Sequence, residues 1–211
     1  ERNLAVGISA MRAITSADDN TIIGWQAGYD ITSSPNNAAL GNKAMHNIAT
    51  GTGYNVAIGS SAEQYNETGA YNVMIGSGAG KGASGQNHSG NVGVGNSALT
   101  TLSTTNYNVG LGDAALYKCV GAGNVGVGKN ALFNAAGADY NISVGYQSGD
   151  TITTGSGNVV IGKADVSSAT GDDQLSISDG EDGSVVWMTG ESTGNVEINE
   201  VWNPSLSTTG K

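Results

Sequence analysis

The sequence predicts an all-β chain wound as a parallel β-solenoid, a β-roll of about ten coils of ~17 residues closed by a small β-rich cap. Three observations carry that prediction. A five-residue motif, Asn-apolar-x-apolar-Gly, occurs ten times between residues 3 and 162, with successive copies starting 17, 17, 18, 17, 19, 17, 16, 17 and 17 residues apart. Thirty-four of the 211 residues are glycine, two are proline and one is phenylalanine, so the backbone turns often around small side chains. No segment sustains the i, i+3, i+4 spacing of apolar residues that a helix needs.

The copies begin at Asn3, Asn20, Asn37, Asn55, Asn72, Asn91, Asn108, Asn124, Asn141 and Asn158. Apolar residues at the second and fourth positions give each copy the period of a short strand, and the closing glycine admits a positive φ. An alanine follows that glycine by three residues in eight coils, from Ala10 to Ala131, which predicts a tight corner or a close approach of two sheets. The third position is mostly small. With positions two and four filling the coil interior, position three faces outward, which makes Ala57, Gly93, Gly110 and Gly126 candidate subunit-interface residues. The two longest spacings mark bulges, assigned to surface loops at Pro35-Asn36 and at Gly78–Gly85.

Charge divides the chain. Residues 1–162, the repeat solenoid, hold 9 acidic and 6 basic residues, net −3; residues 163–211, an acidic C-terminal cap, hold 9 and 2, net −7. This acidic surface repels phosphate backbones and anionic lipid, so nucleic acid and membrane insertion are not expected. There is no run of ~18 apolar residues and no signal-peptide pattern. The chain opens inside a repeat, which suggests that more protein precedes it. In the cap, Gln174–Ser178, Ser184–Thr189 and Gly194–Asn199 read as strands, the last two as a hairpin that shields the end of the rod. Trp187 and Trp202 are candidate receptor contacts, because aromatic planes stack on sugars and on protein surfaces alike.

Chemistry-bearing motifs are sparse. Gly80-Lys-Gly-Ala-Ser-Gly85 matches a dinucleotide fingerprint as a string but has no following helix and no βαβ unit. His46 and His88 have no carboxylate at metal-ligand spacing and read as loop residues. Cys119, the lone cysteine, reads as a buried thiol. Asp172, Asp173, Asp179, Glu181 and Asp182 fit no calcium loop and read as solvated turns. No nucleophile elbow and no distinguished acid pair are present, so catalysis, cofactors and metals are not expected. Tyr54, Tyr71, Tyr107 and Tyr140 each precede a motif asparagine, either as coil-corner packing or as an exposed aromatic ladder for glycan.

The motif, clearest at Asn55-Val-Ala-Ile-Gly59, resembles the head repeats of trimeric autotransporter adhesins, which form left-handed parallel β-rolls in homotrimers. The longer period, the Ala-Leu-Thr-Thr continuation after Gly95 and the closing Asn203-Pro-Ser-Leu-Ser-Thr-Thr-Gly-Lys211 look more like bacteriophage tail-fibre proteins. The resemblance covers about three quarters of the chain. It implies a homotrimer of identical chains, intertwined or side by side, forming a non-catalytic structural fibre segment of a virion tail. Its partners are then other tail proteins and a host cell-surface receptor, with glycan one candidate. A bacterial trimeric surface adhesin head and a β-solenoid glycan hydrolase are the alternatives.

Overall fold

The computed structural model describes residues 2–199. Every repeat motif contributes one three-residue strand: β1 Leu4–Val6, β2 Thr21–Ile23, β3 Ala38–Leu40, β4 Val56–Ile58, β5 Val73–Ile75, β6 Val92–Val94, β7 Val109–Leu111, β8 Val125–Val127, β9 Ile142–Val144 and β10 Val159–Ile161. Each pairs in parallel with the next, motif position against motif position, so the chain is an all-β parallel solenoid of about ten turns. The stack continues past the last motif: β11 Leu175–Ser178 pairs in parallel with β10, and only then do β12 Val186–Gly190 and β13 Val196–Ile198 add antiparallel strands as a cap. Parallel stacking therefore crosses the boundary that the motif suggests at residue 162.

The motif asparagines hold the turns together. Each buried side chain accepts, at Oδ1, two hydrogen bonds from the asparagine one coil later. Asn108 Oδ1 takes the backbone N–H of Asn124 at 2.9 Å and its Nδ2 at 3.2 Å, while Asn108 itself donates in the same way to Asn91. The second Nδ2 proton reaches across the coil to a carbonyl of the returning chain, Gly121 for Asn108 and Ala138 for Asn124. The ladder runs from Asn3 to Asn158, and Gln174 extends it with backbone N and Nε2 both on Asn158 Oδ1. Gln174 thus makes an eleventh turn from a segment that lacks the motif. A buried amide with its donors and acceptor all engaged carries no desolvation penalty left unmet.

Corners are built from left-handed residues. The residues on either side of the recurrent alanine matter most here: at the sixth and eighth positions after the ladder asparagines from Asn3 to Asn141, φ is positive, near +50 to +60° at Ser97 and Leu99 or Ala114 and Leu116. The alanine N–H closes the turn on the motif glycine carbonyl, Ala98 to Gly95 at 3.3 Å for example. That glycine has φ of +139° at Gly95, and a Cβ there would lie 2.3 Å from the carbonyl oxygen of Gly112 in the next coil. No other residue fits.

The interior reverses one expectation. Position three points inward: Ile22, Ala57, Met74 and Val160 are buried, as are the backbones of Gly93, Gly110 and Gly126. Positions two and four point out and are partly or largely exposed in every motif strand. The interior is filled from the far side of each coil, by the residues eight and eleven positions after the asparagine. Among these Met45, Leu99, Leu116 and Leu132, and Ile31, Ile48, Leu102 and Ile152, are fully buried. Volumes trade between the two sides. Where position three is glycine (Gly93, Gly110, Gly126), the residue six further on is leucine (Leu99, Leu116, Leu132); where position three is Ile22 or Met74, that residue is Gly28 or Gly80. A Cβ on Gly80 would stand 2.4 Å from the Met74 sulfur, and one on Gly126 3.1 Å from Leu116 Cγ. Small residues at position three therefore make room for leucine and not for a partner chain, which corrects the outward placement of Ala57, Gly93, Gly110 and Gly126.

The loops need a similar adjustment. Pro35 and Asn36 lie at the corner before Asn37, with Asn36 left-handed at φ +58°, and so close the 17-residue coil of Asn20 instead of taking up the surplus of the 18-residue coil from Asn37 to Asn55. Ala79 and Gly80 belong to a coil corner, and the extra length of the 19-residue coil is taken up beyond them, where Asn66 and Gln86 form an isolated parallel bridge.

Two measurements follow. Asn108→Asp removes both side-chain donations and sets a carboxylate against two oxygens, so chemical denaturation should show a loss of about 3 kcal/mol. Gly80→Leu overpacks the coil against Met74 and should cost roughly 1–3 kcal/mol; adding Met74→Gly recreates the Gly/Leu pairing of β6 to β8, and a double-mutant cycle should recover most of that loss.

Candidate functional site

The most extensive surface feature is the outer face of the sheet. Ten strands offer two outward positions each, and Thr21 alone among those twenty is polar. One column runs Val56, Val73, Val92, Val109, Val125 and the other Ile58, Ile75, Val94, Leu111, Val127, with no charge in either. At ~4.8 Å per coil the stripe is roughly 43 Å long. Leu4, Val6, Leu40, Ile142, Val144 and Ile161 on it are each more than a third exposed. A parallel sheet is ordinarily covered on both faces, and a continuous uncharged apolar band is the kind of surface that marks an interaction site.

The same corner geometry places a second column beside the stripe. Tyr54, Tyr71, Tyr107 and Tyr140 are exposed, and Tyr54 and Tyr71 stack with ring centroids 5.4 Å apart. Trp187 is half-exposed on β12, with its carbonyl accepting the Asn199 N–H at 2.9 Å. Trp202 lies outside the described residues. The fold does not bring Trp187 and the tyrosines together on one coil.

Inside the rod, one group of polar residues interrupts the apolar columns. Glu63 takes the place that Met45 and Leu99 fill in other coils, and Asn66 the place of Ile48 and Leu102. Glu63 Oε1 accepts from Asn66 Nδ2 at 2.8 Å and Asn72 Nδ2 at 2.7 Å; the same two amides also donate to the His88 carbonyl. Glu63 Oε2 and both His88 ring nitrogens have no hydrogen-bond partner. Burial pushes Glu63 up to about 8, against the two amide donors, and pushes His88 down to about 4. The Gly80 backbone pulls His88 the other way without reaching hydrogen-bond geometry. Both side chains are neutral at pH 7 and sealed from solvent, so they have no access to a substrate. His88 is thus an interior residue and not an exposed one, while His46 is half-buried and stacks on Tyr29 at 5.0 Å.

The remaining candidates are occupied structurally. Cys119 is buried and its thiol is pushed up to about 11 by burial. Asp179 accepts from the backbone N–H groups of Glu181, Asp182, Gly183 and Val185, which hold it down at about 2 and fold the turn before β12. Asp172 caps Ser156 N–H at 2.8 Å. A cavity of about 240 Å³ between β11 and β12 gathers Asp165, Glu191 and Glu197 without any His, Cys, Lys or Arg. Among the described residues no group of three or more His, Cys, Asp or Glu is placed to hold a metal.

No family model, no curated protein and no solved structure matches the chain.

The buried pair predicts a pH profile. A raised Glu63 gives stability that is full below 4.5 and is lost as pH rises towards 8; a lowered His88 gives stability that is full above 6.5 and is lost as pH falls towards 4. The two slopes oppose one another between 4.5 and 6.5, and above that only the Glu63 loss remains. Glu63→Gln should therefore gain Tm relative to the native protein from about pH 5 to about pH 8, read by thermal melts in matched buffers.

Proposed function

We propose that this chain is a non-catalytic structural segment of a bacteriophage tail fibre, assembled as a homotrimer, that carries or presents host-receptor binding. The single observation behind the assembly is the uncharged apolar stripe. Three parallel rods that turn their stripes to a common axis cover the open sheet face of each, and a ring of three heterologous contacts closes on itself. Rods in parallel register also match periods of ~4.8 Å along their full length, so side chains of one column can settle between those of the next. The virion setting and the receptor role come from the resemblance of the repeats to tail-fibre proteins, and Trp187 on the cap stays a candidate contact.

Light scattering of the full chain at micromolar concentration should give three times 21.1 kDa. The pair Val109→Glu and Val125→Glu sets charges in the middle of the stripe, where neither side chain supports the coil interior. It should yield monomers or aggregates with the β circular-dichroism signal retained. A monomeric native protein, or trimers that survive both charges unchanged, would falsify the assembly reading.

A further inference from the structure

The residue before each ladder amide, Asn20 to Asn158 and Gln174, sits at a corner that demands a left-handed backbone, with φ between +54° at Asp173 and +71° at Gly157. Glycine, asparagine and aspartate suit that conformation, and Asp19, Asn36, Gly90, Gly123, Gly157 and Asp173 occupy it. The other four are tyrosine: Tyr54, Tyr71, Tyr107 and Tyr140, with φ of 60°, 61°, 63° and 58°. At the other left-handed corner the large apolar residues Met45, Leu99, Leu116 and Leu132 are fully buried, so packing repays their conformation, while the polar Gln26, Lys43 and Gln147 are half-buried. The tyrosines are far less buried, being between 52% and 73% exposed. Strain kept at exposed aromatic residues points to a use outside the fold.

Their spacing says what that use is. From Tyr71 to Tyr140 the column alternates Tyr71, Gly90, Tyr107, Gly123, Tyr140, so the tyrosines recur every second coil, ~9.6 Å apart. Tyr107 and Tyr140 lean into the row of the glycine before them: a Cβ on Gly90 would meet the Tyr107 ring at 2.9 Å, and one on Gly123 the Tyr140 ring at 2.6 Å, while Tyr71 rests on Tyr54. One side of the Tyr107 and Tyr140 rings thus rests on bare backbone, and most of each ring stays open. The column holds no charge between Asp19 and Asp173. We infer that this flank binds a neutral linear polysaccharide laid along the rod, with one pyranose in every two stacking its C–H face on a tyrosine. An extended β-1,4-linked hexose chain advances by about the same distance per disaccharide as the rod does per two coils, and aromatic rings supply apolar contact with a polar hydroxyl at the rim. The inference deepens the receptor-presenting role proposed above, and requires only that the corner stay open when the stripe is covered.

Calorimetric titration of the full-length chain with cellohexaose and chitohexaose tests it, with cellobiose as the short control. A hexasaccharide spans the three teeth and should bind at least about tenfold more tightly than the disaccharide, because the linked contacts add without a second association cost. Tyr107→Asn with Tyr140→Asn should abolish that binding and at the same time raise Tm, since asparagine suits the left-handed corner. Light scattering on the same samples separates this result from a failure of assembly. No heat with either hexasaccharide, a fall in Tm on the paired asparagine change, or tyrosines shielded from nitration in the assembled native protein overturns the inference.

Discussion

One row of buried side-chain amides governs the rest of the molecule. Because each asparagine receives both the backbone and the side-chain N–H of its successor, every strand is locked to the next in a single register. A slip by one residue would turn the interior of a coil outward and also strand several buried donors. Coil lengths of 16 to 19 residues are tolerated because the amide row lies at the strand start, and surplus chain is accommodated on the far side of the turn. Gln174 shows that the carboxamide matters and not the residue that carries it: one methylene longer, it still places both donors on Asn158.

Much of this was legible in the amino-acid order. The strands, the glycine that ends each one and the alanine corner all coincide with recurrent letters, and the parallel solenoid followed from their spacing. The direction of the side chains was not. An alternation of two says which residues share a face, but it is silent on which face is inside, and three-residue strands are too short to show a polar side. The deciding clue lay six residues beyond position three, in the exchange of Gly110 for Leu116 and of Met74 for Gly80, a correlation between two columns that no single motif displays. His88 misled for another reason. It falls in the longest coil, where the period is lost, and its burial depends on Glu63 and Asn66 having replaced apolar residues two dozen positions earlier.

The molecule's surfaces divide according to how each column is built. Strand positions two and four, free of the amide row and of the corner, carry β-branched and other apolar residues in coil after coil, and they form the apolar stripe. The corner before the asparagine requires a left-handed backbone, which glycine, asparagine and aspartate adopt readily and tyrosine does not. Net negative charge gathers past residue 162, in turns such as that of Asp179, where carboxylates cap backbone N–H groups and leave the rod itself nearly neutral.

The glycine at the end of each strand has a wider consequence. Since its neighbour's carbonyl occupies the space of a Cβ in coil after coil, every junction between turns presents the same steric interface above and below. Whole turns can then be duplicated or deleted without redesigning what remains, provided the Gly/Leu or Met/Gly volume match is preserved at the seam. The chain becomes a gauge whose reach grows by ~4.8 Å for each turn added, and its length is open to change by unequal recombination between repeats while its cross-section stays constant.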